Sequence, residues 1–95
     1  MNEQAVIDTV AQLFKAMGDP TRIKILLRLR AEECAVNTLA ADLSMNQSAI
    51  SHQLRLLKAL NIVKFKRDGV TLLYSIADEH VLHLLEQAVE HVEHL

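Results

Sequence analysis

Apolar residues recur at helical spacing in four stretches before the period shortens to two. Between Glu3 and Met17 they fall at Val6, Val10, Leu13, Phe14 and Met17, steps of three and four that define one helix face. Gly18 follows, where a helix end favours a residue free to take positive φ. Asp19-Pro20 opens a second helix: the carboxylate accepts from exposed N–H groups, and proline at the first helical position lacks a donor that would go unused. This helix runs to about Arg30, with Ile23, Leu26, Leu27 and Leu29 as core candidates. Asn37-Thr38 precedes a short helix over Thr38–Leu43, and Ser44-Met45-Asn46 reads as a turn. A longer helix from about Gln47 to Leu60 turns Ile50, Leu54, Leu57 and Leu60 inward.

Ile62–Arg67 and Val70–Ile76 then read as strands around Asp68-Gly69, a strong hairpin signal. Alternation turns Val63 and Phe65 to the core and Lys64 and Lys66 to water. A last helix spans about Asp78 to Leu95. The order is four helices, a hairpin and a helix. The third and fourth helices with the hairpin make a winged helix-turn-helix, mostly α, in one domain over residues 1–95. With aromatics at 3%, Leu, Ile, Val and Ala must build the core, and an apolar fraction of 51% excludes disorder as the default. No apolar run approaches the ~20 residues of a membrane span. The N-terminus carries no export pattern, and the lone Cys34 fits a reducing compartment, so a cytoplasmic protein is expected.

The net charge of −2 hides its distribution. From Leu43 to Ile76 there are five cations (Arg55, Lys58, Lys64, Lys66, Arg67) and one acid, Asp68. From Ala77 onward there is no Lys or Arg, five acids, and four of the five histidines. The basic middle points to nucleic acid. Gln47, Ser48, Ser51, His52 and Arg55 share one exposed stripe of the fourth helix and suit base edges and phosphates in a major groove of double-stranded DNA. Lys64, Lys66 and Arg67 on the hairpin would lie against the flanking backbone, supplying affinity rather than sequence choice. One such unit binds weakly. Two copies on a two-fold axis would read two half-sites, and the terminal helices are the elements left to join them.

At about 100° per residue, the last helix sorts into three sectors. Val81, Leu82, Leu85, Ala88, Val89, Val92 and Leu95 are apolar; Glu79, Glu86, Glu90 and Glu93 are acidic; His80, His83, Gln87, His91 and His94 form the third. His91 and His94 lie one turn apart and suit one ion. Asp78 and His80 do likewise if Asp78 occupies the entry turn. The rise from His80 to His91 is roughly 16 Å, whereas zinc–nitrogen bonds are about 2.0–2.1 Å. One straight helix therefore cannot bring all four to one ion, but two antiparallel copies can. Asp78 and His80 of one copy with His91 and His94 of the other make a three-nitrogen, one-oxygen tetrahedron suited to Zn(II), with Co(II) as a mimic. The alternative is a solvated or interface histidine face without metal. His83 lies on the same side as the other histidines and could be a ligand, an outer-shell partner or surface; surface or outer shell is the expectation.

The chain resembles the ArsR/SmtB family of dimeric winged-helix metal-sensing repressors over nearly its whole length. Phe14-Lys15-Ala16-Met17-Gly18-Asp19-Pro20-Thr21-Arg22-Ile23, Asn46-Gln47-Ser48-Ala49-Ile50-Ser51-His52-Gln53-Leu54-Arg55-Leu56-Leu57 and Tyr74-Ser75-Ile76 carry the likeness. The family's final-helix zinc pattern, Asp-x-His, ten residues, then His-x-x-His or Glu, maps onto Asp78, His80, His91 and His94. A second family site uses thiolates, but Ala35 stands at the usual thiolate position, Cys34 is offset by one, and Asn37 and Thr38 replace the usual partners. That soft-metal site is expected to be absent, with Cys34 a small half-buried hydrophobe.

The resemblance implies a repressor that holds operator DNA when metal-free and releases it when zinc fills the inter-subunit sites, freeing metal-efflux or resistance genes. Zinc must then favour the DNA-free conformation, and by linkage DNA must weaken zinc equally. It also implies that a liganding histidine donates its second ring N–H to backbone near Leu60-Asn61. Acid should blunt the response, because protonated histidines do not bind. A zinc hydrolase would need an open coordination position and a nearby base; four ligands close this site, so neither an enzyme nor a small-molecule substrate is expected. The remaining alternative is a winged-helix regulator answering another metal or a redox signal, its histidine stripe only structural.

Overall fold

A computed structural model describes residues 1–95. Its elements run α1 (Glu3–Met17), α2 (Pro20–Ala31), β1 (Cys34–Ala35), α3 (Val36–Leu43), α4 (Gln47–Ala59), β2 (Val63–Asp68), β3 (Thr71–Ile76) and α5 (Glu79–Glu93). The helices start where short polar side chains cap exposed amides. The Val81 amide donates to Asp78 Oδ1 at 3.0 Å, the Arg22 amide to Asp19 Oδ2 at 3.0 Å, and the Ala49 amide to Asn46 Oδ1 at 2.8 Å. Pro20 takes the first helical position, as expected.

Local structure departs from expectation at the end of α1 and at the start of α3. Gly18 ends α1 with φ −84°, not in the left-handed region; its amide closes the turn on the Lys15 carbonyl. A Cβ there would sit 3.2 Å from the Phe14 carbonyl oxygen, so close approach rather than positive φ fits glycine here. The third helix begins at Val36 rather than Thr38, with Ala35 at the cap and no side-chain bond. The cause is β1, a two-residue strand the sequence pattern did not disclose, which delivers the chain directly into the helix.

The sheet has the order β1-β3-β2, all antiparallel, with Cys34 opposite Tyr74 and Phe65 opposite Tyr74 on the other side. Asp68 pairs with Thr71, so the hairpin loop is Gly69-Val70 and not Asp68-Gly69. Gly69 takes φ +65°, the first central position of a II′ turn.

Ile25, Leu26, Leu39, Ile50, Leu54, Leu57, Ile62 and Val63 are fully buried at the junction of α2, α3, α4 and the sheet. Ile25 takes the place expected of Ile23 and Leu27, which are half-buried. Leu60 caps the end of α4 and is 36% exposed, because the chain leaves the helical path there. Phe65, also expected in the core, is 37% exposed and tilts against Tyr74 at 5.4 Å between ring centres. The α4 exit is locked by Asn61 at φ 58° and by the Ile62 amide donating to the Leu57 carbonyl at 3.0 Å. No helix is long and apolar enough to cross a membrane.

Candidate nucleic-acid interface and metal-donor helix

The α3–α4 turn is tight because Ser44 adopts φ 54° and the Met45 amide returns to the Ala40 carbonyl at 2.9 Å. It aims α4 outward with Gln47, Ser48, His52 and Arg55 exposed and Ser51 half-buried. Lys58 extends the same stripe, three residues beyond Arg55, and was not among the expected contacts although its spacing could have disclosed it. Its Nζ sits 5.1 Å over the Phe65 ring, so the stripe continues onto the root of the wing.

The three wing cations do not form one surface. Successive strand residues point to opposite faces, which puts Lys64 and Lys66 on one side of β2 and Arg67 on the other, with Phe65. Lys66 Nζ is paired with Glu33 Oε1 at 3.2 Å, across the width of the sheet. The tip is apolar: Val70 is 98% exposed.

On α5, Asp78 is the N-cap in extended conformation, as the entry-turn condition requires. Its Oδ1 lies 3.7 Å from His80 Nδ1, and the His80 side chain is 97% exposed. At the other end His91 and His94 are exposed, and His94 Nδ1 lies 2.7 Å from the Glu90 carbonyl. A carbonyl only accepts, so Nδ1 carries the proton and Nε2 keeps its lone pair in the neutral ring. His83 is exposed as well. Within one chain no group of three or more His, Cys, Asp or Glu side chains converges on a point. The Ala77 amide, one residue before Asp78, donates to the Ile62 carbonyl at 3.0 Å and ties the start of α5 to the exit of α4.

Cys34 is 3% exposed, so it is fully rather than half buried. Burial pushes its thiol pKa up against the partial counter-effect of Arg28. The Arg28 guanidinium is held above its ordinary range chiefly by its hydrogen bond to Asp42, at 2.7 Å.

The terminal helices leave apolar surface uncovered. In α1 only Ala16 is buried, while Val6, Val10 and Phe14 are exposed. Between α1 and α5 runs an apolar groove of about 410 Å³ lined by Phe14, Met17, Ile23, Leu84, Val89 and Val92 among others.

Residues 19–64 match the profile of the bacterial regulatory proteins of the arsR family. Over 86 residues the chain is 44% identical to the regulator NmtR of Mycobacterium tuberculosis, covering 90% of this chain and 72% of that protein. The chain belongs to the ArsR family. Its regulators are DNA-binding transcription factors and not enzymes. This ArsR-family chain is also 43% identical over 84 residues to a cadmium resistance regulatory protein CadC homolog of Staphylococcus aureus, 86% of this chain and 69% of that one. It spans 64% of the length of the Synechocystis repressor SmtB homolog, at 38% identity. Among solved structures, the homodimeric winged helix-turn-helix DNA-binding domain Mb0332 of Mycobacterium bovis superposes with a TM-score of 0.92 at 35% identity, over 99% of this chain and 88% of that one. The solution structure of apo-NmtR gives 0.84 at 42% identity, over 100% and 79%.

Proposed function

We propose that this protein is a homodimeric, metal-responsive transcriptional repressor whose metal-free form binds operator DNA and whose affinity falls when Zn(II) bridges the two final helices. Gln47, Ser48, Ser51, His52 and Arg55 read the major groove, and Lys64, Lys66 and Arg67 contribute backbone contacts, for which Lys66 must first leave Glu33. Dimerisation through α1 and α5 covers Val6, Val10, Phe14 and the apolar groove, which the single chain leaves exposed; that the similar Mycobacterium bovis domain is a homodimer supports a dimer as such.

The observation that carries the metal reading is the placement of two donor pairs at opposite ends of one helix. Asp78 and His80 already face each other at 3.7 Å, and exposed His94 has Nδ1 engaged by the Glu90 carbonyl, which leaves Nε2 as its available donor atom. Such a donor set suits zinc, which would supply a closed tetrahedral crosslink between subunits. Asp78 and His80 of one copy approach His91 and His94 of the second, and the two-fold axis repeats the site. Locking the two α5 helices fixes the angle between the two α4 helices, and the Ala77–Ile62 hydrogen bond joins the donor-bearing end of α5 to the α4 exit. The cadmium resistance homolog supports metal response in general. A regulator answering a different metal or a redox signal is the alternative, although buried Cys34 offers redox chemistry little access.

His91→Ala tests the reading. Expected is metal-free DNA binding within twofold of wild type, together with loss of zinc-triggered release, read by fluorescence anisotropy at fixed salt. Release by zinc that persists in this variant would move the sensor elsewhere.

A further inference from the structure

The grip on α4 is uneven. Its inner side is held by Ile50, Leu54 and Leu57, all with no exposure. These apolar contacts set the depth of the helix, but the hydrophobic effect is non-directional, so a directional bond on a second side refines its roll. On the side toward α1 the packing is open: a groove of about 350 Å³ lies there, lined by Gln12, Lys15, Arg22 and Leu56 among others, and Leu56 itself is 39% exposed. Arg22, at the wall of that groove, makes the one side-chain hydrogen bond that joins α4 to another element, its Nε donating to Gln53 Oε1 at 2.8 Å.

Both ends of this bond are well placed to act as a tether. Arg22 is the third residue of α2, its amide is held by Asp19 at 3.0 Å, and α2 is anchored in the core by Ile25, Leu26 and Leu29. At about 100° per residue, Gln53 lies about 180° around α4 from the middle of the stripe formed by Gln47, Ser48, Ser51, His52 and Arg55. The bond therefore grips the back of the helix whose front is free. A roll of about 10° at a side-chain radius of about 5–6 Å moves the front by about 1 Å. That exceeds the roughly 0.5 Å window of N–H···O distances within which a base-edge hydrogen bond is made.

We infer that Arg22 is a positioning residue for DNA recognition: by holding the Gln53 carboxamide it fixes the roll of α4 and so the aim of Ser51, His52 and Arg55. The inference rests on the reading of α4 as the DNA-contacting helix. A guanidinium donates from a rigid planar fork, which a lysine ammonium does not reproduce.

The test uses the full chain, a duplex selected by the wild-type protein from a randomised pool, and a scrambled duplex of the same composition. Arg22→Gln and Gln53→Leu should each weaken binding to the selected duplex about tenfold, the scale of one lost base contact. Binding to the scrambled duplex should stay within twofold, with the salt dependence unchanged. The double variant should be no worse than the worse single. Gln53→Glu, which keeps an acceptor opposite the guanidinium, should retain wild-type discrimination, whereas Arg22→Lys should not. Equal losses on both duplexes with a salt slope reduced by about one would make Arg22 a phosphate contact and overturn the tether. Multiplying effects in the double variant would overturn it too. Should Arg22→Gln fail to fold, the Gln53 pair decides: discrimination surviving in Gln53→Leu removes the tether alone. A wild-type protein that enriches no duplex removes the reading of α4 itself, and the tether with it.

Discussion

Through Oδ1, the Asp78 carboxylate accepts the Val81 amide at 3.0 Å, while in the proposed function the same side chain ligates zinc. Two substitutions separate these duties. Asp78→Ala should lose the cap, about 1 kcal/mol in urea unfolding of the metal-free protein. Asp78→Asn should keep that stability, yet both should lose tight zinc binding in a competition titration. Cys34 gives a second residue-level expectation. Burial raises its thiol pKa, so above the ordinary cysteine range of about 8.5 the folded chain keeps a proton that the unfolded chain has lost. This contribution is complete below that range and declines as pH rises through it; Cys34→Ala should flatten the alkaline loss of stability, and the native thiol should react slowly with a disulfide reagent. At this scale the capping residues Asp19 and Asp78 were legible because their chemistry is local. Burial was less so: the exchange of Ile23 for Ile25 depends on which side of α2 meets α3 and β3, and the 3.6-residue period leaves a neighbouring phase almost equally good.

The hairpin shows what alternation discloses and what it leaves open. Two strands and a turn were legible from Asp68-Gly69, but the Asp68–Thr71 pairing moves the loop to Gly69-Val70. A Cβ at Gly69 would meet nothing within 4 Å, so any cost of Gly69→Ala is conformational, from φ +65°. We expect about 1–2 kcal/mol, read as a lower melting temperature without change in the far-UV signature of the helices. Strand β1 was invisible because two residues carry no period, and its pairing with β3 explains why α3 starts two residues early. The wing cations were readable as a group by count, but not as two faces. Their division follows from register, and the Glu33 partner of Lys66 lies 33 residues away in sequence.

For the whole molecule, the unburied faces of α1 and α5 are the dominant feature. The 15-residue α1 has one buried side chain and packs on the core through Leu13 and Met17, so the rest of its apolar stripe needs a cover. Phe14→Glu, at a site 55% exposed in the single chain, should leave the fold intact and shift the protein to monomer in analytical ultracentrifugation, with operator affinity lowered because half-sites are no longer bound together. The stripe was legible as a helix face, and its exposure emerges only once the rest of the core is seen to close without it.

Helix α5 also serves as a ruler. Its donors stand at the two ends of a rod of set length, and each ion in the proposed assembly needs one end from either copy. Adding a single residue between His80 and His91 would twist one end by about 100° and push it outward by about 1.5 Å relative to the other. Symmetry would impose that error on both bridges together, so in the proposed assembly such an insertion should abolish tight zinc binding at both sites and not at one alone.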